Sequence, residues 1–258
     1  MFEFIIIPFT NVLVFVYSLL GHNFGLAIIV FTLLVRLITY PFNAQQMKSA
    51  KAMQELQSNP KWKQIQEKYK GKENREKLAQ EQMKLYQELG INPFGACLPT
   101  LIQLPLIIAM YWAITRALAA TPMQLLTFVR GLSWVPNVSD LIPLNSHFLW
   151  MDLGQPERLY LSFIPIGIPV LAIFVMITSY FQTKMMTPTN PNDQSAQMGK
   201  AMNLYMPILM AYISYIYSAG LALYFVTTNI LGIAQYYITR RPTAAAKAVV
   251  PAKPKQIN

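Results

Sequence analysis

A long segment without charge constrains this chain more than any other feature. No Asp, Glu, Lys or Arg lies between Lys200 and Arg240. An α-helix rises 1.5 Å per residue, so about 20 residues already cross the ~30 Å apolar core of a bilayer. The segment is therefore predicted to form two membrane helices, over 201–218 and 219–239. The turn between them is expected at Ser218-Ala219-Gly220, because glycine tolerates a turn.

Three further segments are similarly apolar. Only 12% of all residues are charged, whereas an ordinary soluble domain carries about 25%. The three segments predict membrane helices over 21–42, 94–116 and 159–182. The expected fold class is therefore an all-α membrane protein with five transmembrane helices.

The first 20 residues allow more than one interpretation. The apolar run from Phe4 to Leu20 is interrupted by Pro8 and Asn11. If Pro8 opens the helix, the remainder is about 20 Å long, which is too short to span comfortably. We interpret residues 1–20 as an interfacial amphipathic helix. A spanning helix is the alternative, and a cleavable signal peptide is disfavoured because no Lys or Arg precedes the run.

Lys and Arg are unevenly distributed among the connecting segments. The 43–93 segment contains ten and the tail after Ile238 contains five, whereas 117–158 contains two. Because short loops rich in Lys and Arg stay in the cytoplasm, we predict that 43–93, 183–200 and 240–258 are cytoplasmic. The 117–158 segment is then an extracytoplasmic loop. This arrangement places the amino terminus outside and the carboxyl terminus in the cytoplasm.

The polar segments differ in their expected structure. The 43–93 segment is predicted to be a cytoplasmic helical hairpin, interrupted at Asn59-Pro60, turning at Lys70-Gly71-Lys72 and ending at Gly90. The tail over 240–258 lacks the apolar content to fold and is predicted to be disordered and basic. In the outer loop, Trp134 and Trp150 favour a position against the membrane surface.

Arg36 is a charged residue inside an otherwise apolar span. A central Arg costs roughly 2.5 to 3.5 kcal/mol on insertion scales. Thr32, Thr39 and Asn43 share its helical face and form a polar stripe toward the cytoplasmic end. Arg36 either extends to that interface or lines a water-filled cavity open to the cytoplasm, to which Gln103 adds a polar group.

Candidate residues for covalent chemistry, metals or redox cofactors are scarce. Cys97 is the single cysteine, and His22 and His147 are far apart in sequence. None of the five predicted spans contains Asp or Glu, which argues against a proton-coupled transporter. We therefore predict a protein that is not an enzyme and uses no cofactor or metal. The net charge of +10 reflects the one-sided loops rather than specific recognition of nucleic acid.

Four strings in this order resemble the YidC/Oxa1/Alb3 family of membrane protein insertases. They are LLVRLITYPF (33–42), NPFGACLPTLIQLP (92–105), KMMTPTNP (184–191) and LALYFVTTNILGIAQ (221–235). The resemblance covers about residues 20–240. It implies five helices around a hydrophilic groove that opens to the cytoplasm and lipid. With no large outer domain and no organelle transit peptide, a bacterial plasma membrane is favoured.

The resemblance also implies roles for particular residues. Arg36 matches the groove arginine of the family, Thr32 its groove threonine, and Gln103 a polar groove residue. Phe225 falls where relatives commonly carry Tyr or Trp, so any polar role at that position is in doubt. Clients are implied to slide along the spans 94–116 and 201–218. The residues that we assign to this client slide are Leu104, Ile108, Met206 and Met210.

The implied function is insertion and folding of client proteins in the bilayer, alone or with the Sec translocon. Expected partners are nascent membrane proteins, the Sec translocon, membrane lipids, and ribosomes through the basic cytoplasmic regions. Two alternatives use the same features. A channel or solute carrier would need a selective path through the bilayer, and a structural anchor would leave the polar stripe around Arg36 without a purpose.

Overall fold

A computed structural model describes the residues 3–57, 59–69, 74–89, 98–118, 121–132, 134–135, 141–161, 164–186 and 194–240. Its helices are α1 (Glu3–Leu19), α2 (Phe24–Ile38), α3 (Tyr40–Gln57), α4 (Pro60–Lys68), α5 (Arg75–Glu88), α6 (Leu98–Ala117), α7 (Pro122–Gly131), α8 (Val170–Met186), α9 (Gln194–Ile216) and α10 (Ala219–Arg240). Its strands are β1 (His147–Phe148), β2 (Met151–Asp152), β3 (Leu159–Leu161) and β4 (Ile164–Ile168). The prediction of a mostly helical protein is confirmed.

Helix α1 begins earlier than we predicted. It starts at Glu3 and contains Pro8 in its interior, so the expectation that Pro8 opens the helix is wrong. Proline in a helix lacks the N–H that would donate to residue i−4, and its ring crowds the carbonyl of that residue. Here the apolar packing of α1 against α2 and α6 sustains the helix on both sides of that gap. The 17 residues are about 25 Å long.

Asn11 connects α1 to the outer loop. Its side chain is fully buried. Nδ2 donates to the Ile7 carbonyl at 2.9 Å and to the Gly131 carbonyl at 2.8 Å, while Oδ1 accepts from the Trp134 backbone N–H at 3.0 Å. A polar residue that interrupts the apolar pattern of α1 thus fixes the end of α7 to the helix.

The predicted span over 21–42 ends sooner in the structure. Helix α2 stops at Ile38, and the chain bends by 63° before α3 starts at Tyr40. Pro41 cannot donate a hydrogen bond to the Leu37 carbonyl, which interrupts the ladder at this point. The Thr39 hydroxyl donates to the Val35 carbonyl at 2.8 Å and so supports the end of α2.

Helix α3 runs across the ends of other helices. It contacts α6, α8 and α10. Met47 is buried, and Lys51 Nζ donates to the Thr239 carbonyl at 3.3 Å in the last turn of α10. A cation near the carboxyl end of a helix is favourable because the helix dipole is negative there.

The predicted span over 159–182 is wrong before Val170, where the described residues are not helical. Leu159–Leu161 and Ile164–Ile168 form an antiparallel pair of strands, and α8 begins only at Val170. Pro165, Gly167 and Pro169 disfavour a helix, because proline lacks a donor and glycine is a poor helix former. Hydropathy alone did not separate this apolar β-hairpin from the start of a helix.

The predicted cytoplasmic loop over 183–200 is shorter than expected. Helix α8 continues to Met186 and α9 begins at Gln194, so both ends of this predicted loop are helical, and 187–193 is outside the described residues. The next break falls between Ile216 and Ala219, at the predicted turn. The backbone N–H groups of Ala219 and Gly220 donate to the carbonyls of Gln155 and Leu153, at 2.7 and 3.0 Å. The outer loop therefore caps the start of α10.

Helices α4 and α5 form a hairpin. Trp62 and Leu85 are buried against each other together with Leu56 of α3. Lys61 in the first turn of α4 pairs with Glu88 at the end of α5 at 3.7 Å, so the helices are antiparallel. On α5, the hydrogen bond to the Glu81 carboxylate raises the pKa of Lys84. The predicted turn at Lys70-Gly71-Lys72, Cys97 and residues 241–258 of the predicted tail lie outside the described residues, whereas Arg240 ends α10.

The buried core lies toward the outer loop. On α2 the buried residues end at Thr32, and Leu33, Leu34 and Leu37 beyond it are exposed. Leu153 of the outer loop is fully buried in the same cluster as α1, α2, α6, α8 and α10 residues. The Phe148 ring covers Gly25, where a side chain would overlap it. The bundle is therefore densely packed at this end and less so around Arg36.

Helix length and hydropathy identify some of the predicted membrane spans. In the described residues, Ala219–Thr239 can cross a membrane by itself, and Phe24–Ile38 with Tyr40–Ser49 qualifies as a bent pair. Glu3–Leu19, Val170–Met185 and Asn203–Ile216 are apolar but shorter. The count of five spans stays a prediction.

Candidate functional site

A cavity of about 280 Å³ lies among α2, α3, α6, α8, α9 and α10. Most of the described residues that line it have polar side chains, although the surrounding helices are apolar. The polar lining residues are Arg36, Asn43, Gln103, Ser179, Gln182, Thr183, Thr228, Asn229 and Gln235. Among the lining residues that the structure describes, Arg36 carries the only formal charge. The cavity therefore combines one cation with neutral hydrogen-bonding groups.

Arg36 points into this cavity. Its Nη2 donates to the Thr228 carbonyl of α10 at 2.7 Å. A guanidinium has five N–H donors, and this is its one hydrogen bond to the described part of the chain. The remaining donors can bind water or a visiting group.

The polar stripe on α2 and α3 divides between the cavity and its surroundings. Asn43 lines the cavity, and its Nδ2 donates to the Thr39 hydroxyl at 3.2 Å. Thr32 is only 1% exposed, and its hydroxyl donates to the Ile28 carbonyl at 2.6 Å. Thr32 and Thr39 line a separate void of about 10 Å³ that Arg36 and Gln103 also border. A void of that volume admits about one water molecule.

Gln103 and Phe225 also line the cavity, on α6 and α10. Gln103 Nε2 donates to the Tyr224 hydroxyl at 3.0 Å. Phe225 is buried and supplies an aromatic wall without a polar atom. The hydroxyl that position 225 lacks is therefore present one residue earlier, where the sequence did not indicate a role.

The four residues assigned to the client slide occupy two environments. Leu104 and Ile108 on α6 are exposed, by 52% and 38%. Met206 and Met210 on α9 line the cavity instead. The four residues are thus divided between the cavity wall and the outer surface of the bundle.

The polar residues that α8 and α10 contribute to the cavity were not predicted from the sequence, although Phe225 of α10 was. Asn229 Nδ2 donates to the Ser179 and Thr178 hydroxyls, at 2.8 and 3.1 Å, and so links the two helices. Ser179, Gln182 and Thr183 are spaced i, i+3, i+4, which places them on one helical face. This spacing could have predicted the site from the sequence. A polar face on an otherwise apolar helix indicates a cavity, as the polar face around Arg36 did on α2.

The described residues contain no group of three or more His, Cys, Asp or Glu side chains that could hold a metal ion. The side chains that converge on the cavity are amides, hydroxyls, thioethers and one guanidinium. These groups bind and solvate polar molecules by hydrogen bonding and charge.

Comparison with known proteins gives a consistent family. The profile of the family described as "60Kd inner membrane protein" matches residues 15–247. The chain is 36% identical over 233 residues to a protein of Oceanobacillus iheyensis named membrane protein insertase YidC, covering 88% of this chain and 78% of the relative. It is 34% identical over 243 residues to membrane protein insertase MisCA of Bacillus subtilis, covering 93% of this chain and 79% of the relative.

A solved structure agrees with the sequence comparison. A crystal structure described as an active YidC insertase with the first transmembrane domain resolved matches with a TM-score of 0.58 and 25% sequence identity. The match covers 93% of this chain and 47% of that one. The chain therefore spans about half the length of that solved protein.

Proposed function

This chain belongs to the YidC/Oxa1/Alb3 family of membrane protein insertases, and from that premise we propose that it inserts client proteins into the bilayer through the cavity beside Arg36. The observation that carries the proposal is a single cation with unused donors in a polar cavity between apolar helices. A polar client segment that crosses lipid loses its hydration, which is costly for charged and hydrogen-bonding groups. A cavity that supplies water and hydrogen-bond donors shortens the distance over which the client segment has no polar partner.

Arg36 is proposed to act through charge. An acidic residue of the client gains more from a cation in a weakly screened environment than it would in water. Asn43 and Gln103 would accommodate neutral polar groups. In this proposal the cavity binds the polar client segment while that segment loses its hydration. No covalent step or cofactor is needed.

The route into lipid is proposed to run between α6 and α9. Leu104 and Ile108 are exposed on α6, and Met206 and Met210 lie at the cavity wall on α9. Flexible thioethers contact apolar segments of different shape. A client helix would leave the cavity along this surface while its polar end is still bound.

We further propose five spans with the amino terminus outside and the carboxyl terminus inside a bacterial plasma membrane, following the Lys and Arg distribution. The α4–α5 hairpin and the basic tail would then face ribosomes, and the Sec translocon would be a lateral partner. A channel is disfavoured, because Phe24, Ile28 and Ile114 are fully buried in one core cluster together with Leu153 of the outer loop.

Thiol accessibility tests whether the cavity holds water. With Cys97→Ala as background, cysteines at positions 103 and 182 should react with a charged thiol reagent from the cytoplasmic side, since a thiol in water ionises readily. Cysteines at 32, which is buried, and at 37, which is exposed toward the proposed lipid, should stay unreactive. Labelling from both sides would instead support a continuous channel.

Reconstitution tests the function itself. Purified protein in liposomes, without other proteins, should insert a single-span client with a short acidic amino-terminal segment, scored by protease protection of that segment. Protein-free liposomes are the control for spontaneous insertion. Insertion only when the Sec translocon is added would restrict the protein to work beside it, and no insertion under either condition would contradict the proposal.

A further inference from the structure

Gly232 lies in the interior of α10, where glycine is a poorer helix former than alanine. It is buried, and two polar side chains occupy the space around it. A Cβ at this position would lie 2.6 Å from Nε2 of Gln182 and 3.3 Å from Nη2 of Arg36. The place of a methyl group is thus taken by side chains that reach α10 from α8 and α2.

Arg36 lies along the backbone of α10 at this point. Its Nη2 donates to the carbonyl of Thr228, one helical turn before Gly232. In the described part of the chain this is the single hydrogen bond that holds the guanidinium. A long, flexible side chain with one such bond also depends on the surface against which it rests.

Gly220 in the same helix has a different environment. A Cβ there would lie 2.9 Å from Cγ2 of Ile114, 3.1 Å from the Leu153 carbonyl oxygen and 3.3 Å from Cδ1 of Ile28. These are core side chains and backbone, so Gly220 permits close packing of the outer end. The two glycines of α10 therefore have distinct reasons to lack a side chain.

We propose that Gly232 is a positioning residue of the cavity. Because Gly232 has no side chain, the Arg36 guanidinium can lie against the backbone of α10 at this point. This inference rests on the proposed function and deepens it, because it names the residue that determines where the Arg36 guanidinium meets the client. Gly232 itself makes no contact with a client in this role.

The physical consequence is an unusual pair of effects. The atoms that obstruct a methyl at Gly232 are the ends of two flexible side chains, which can move without displacing a helix. Gly232→Ala should therefore keep the stability of the protein or raise it, while it displaces the Gln182 amide and moves the guanidinium by a few tenths of an ångström. Gly220→Ala meets backbone and core atoms and should lower stability instead.

The experiment uses full-length variants in liposomes and two matched clients, whose translocated segments carry either Asp and Glu or Asn and Gln. Gly232→Ala should slow the acidic client about fivefold and the neutral client less than about twofold, as expected when a charge-assisted hydrogen bond is weakened. Its thermal unfolding temperature in detergent should equal or exceed that of the wild type. Gly220→Ala should lower that temperature and affect both clients alike.

A double variant shows whether Gly232 acts through Arg36. In an Arg36→Ala background, Gly232→Ala should cause no further loss with the acidic client, since both changes affect one group. Equal losses for the two clients, or a further loss in that background, would overturn the inference while leaving the proposed function standing. A wild-type protein that inserts neither client would overturn the proposed function and this inference with it.

Discussion

Arg36→Ala is expected to slow the insertion of clients with acidic translocated segments by roughly tenfold to a hundredfold, the cost of losing a hydrogen bond to a charged group. The residue supplies the only formal charge among the described lining residues of the cavity, so no neighbour replaces it. Clients with neutral segments should be much less affected. The measurement is the rate of protease protection in liposomes that contain purified protein.

Arg36→Lys is the matched control for this prediction. It keeps the positive charge but loses the planar fork of donors, so it should retain much of the activity with acidic clients. If Lys and Ala are equally impaired while expression and unfolding temperature are unchanged, charge is not the property that matters. The hydrogen bond to the Thr228 carbonyl would then be the function of Arg36.

Asn11→Leu is expected to lower the free energy of unfolding by about 1–3 kcal/mol. The change removes the partners of the Gly131 carbonyl and the Trp134 N–H, which are partly buried, and each lost hydrogen bond costs about 0.5–1.5 kcal/mol. We also expect faster proteolysis within 121–135, because this contact fixes the end of α7 to α1. Thermal unfolding in detergent and limited proteolysis measure the two effects.

Ser18→Ala on the same helix is the control for Asn11. The Ser18 hydroxyl donates only to the Phe15 carbonyl within α1, so its removal should change the unfolding free energy by no more than about 0.5 kcal/mol. An Asn11→Leu variant as stable and as protease-resistant as Ser18→Ala would show that these hydrogen bonds do not hold the outer loop.

The sequence was most informative where one residue contradicted its surroundings. Arg36 in an apolar helix predicted a polar site, and the structure places Asn43, Gln103 and Phe225 with it in one cavity. Thr32 and Thr39 share the helical face, yet they border only the small void beside it. Helical periodicity fixes which side a residue faces, but the neighbouring helices decide where the wall of a cavity lies.

Other features depended on contacts between distant segments. Strands β3 and β4 have the apolar composition of a membrane span, and only Pro165, Gly167 and Pro169 distinguished this region from a helix. Asn11 interrupted an apolar run, but its partners lie more than a hundred residues later. The polar residues of α8 and α10 are individually weak signals, because Ser and Thr hydroxyls in membrane helices often bond to their own backbone.

The bend at Thr39 gives the α4–α5 hairpin a mechanical relation to Arg36. Helix α3 is a rod of 18 residues, about 27 Å long, with one end attached to the hairpin and the other one turn from Arg36. Met47 and Lys51 hold the middle of this rod against the cavity wall and α10, so its two ends lie about equally far from the held part. A partner that moves the hairpin end of α3 would therefore turn the helix about its middle and move its other end, one turn from Arg36, by a similar distance.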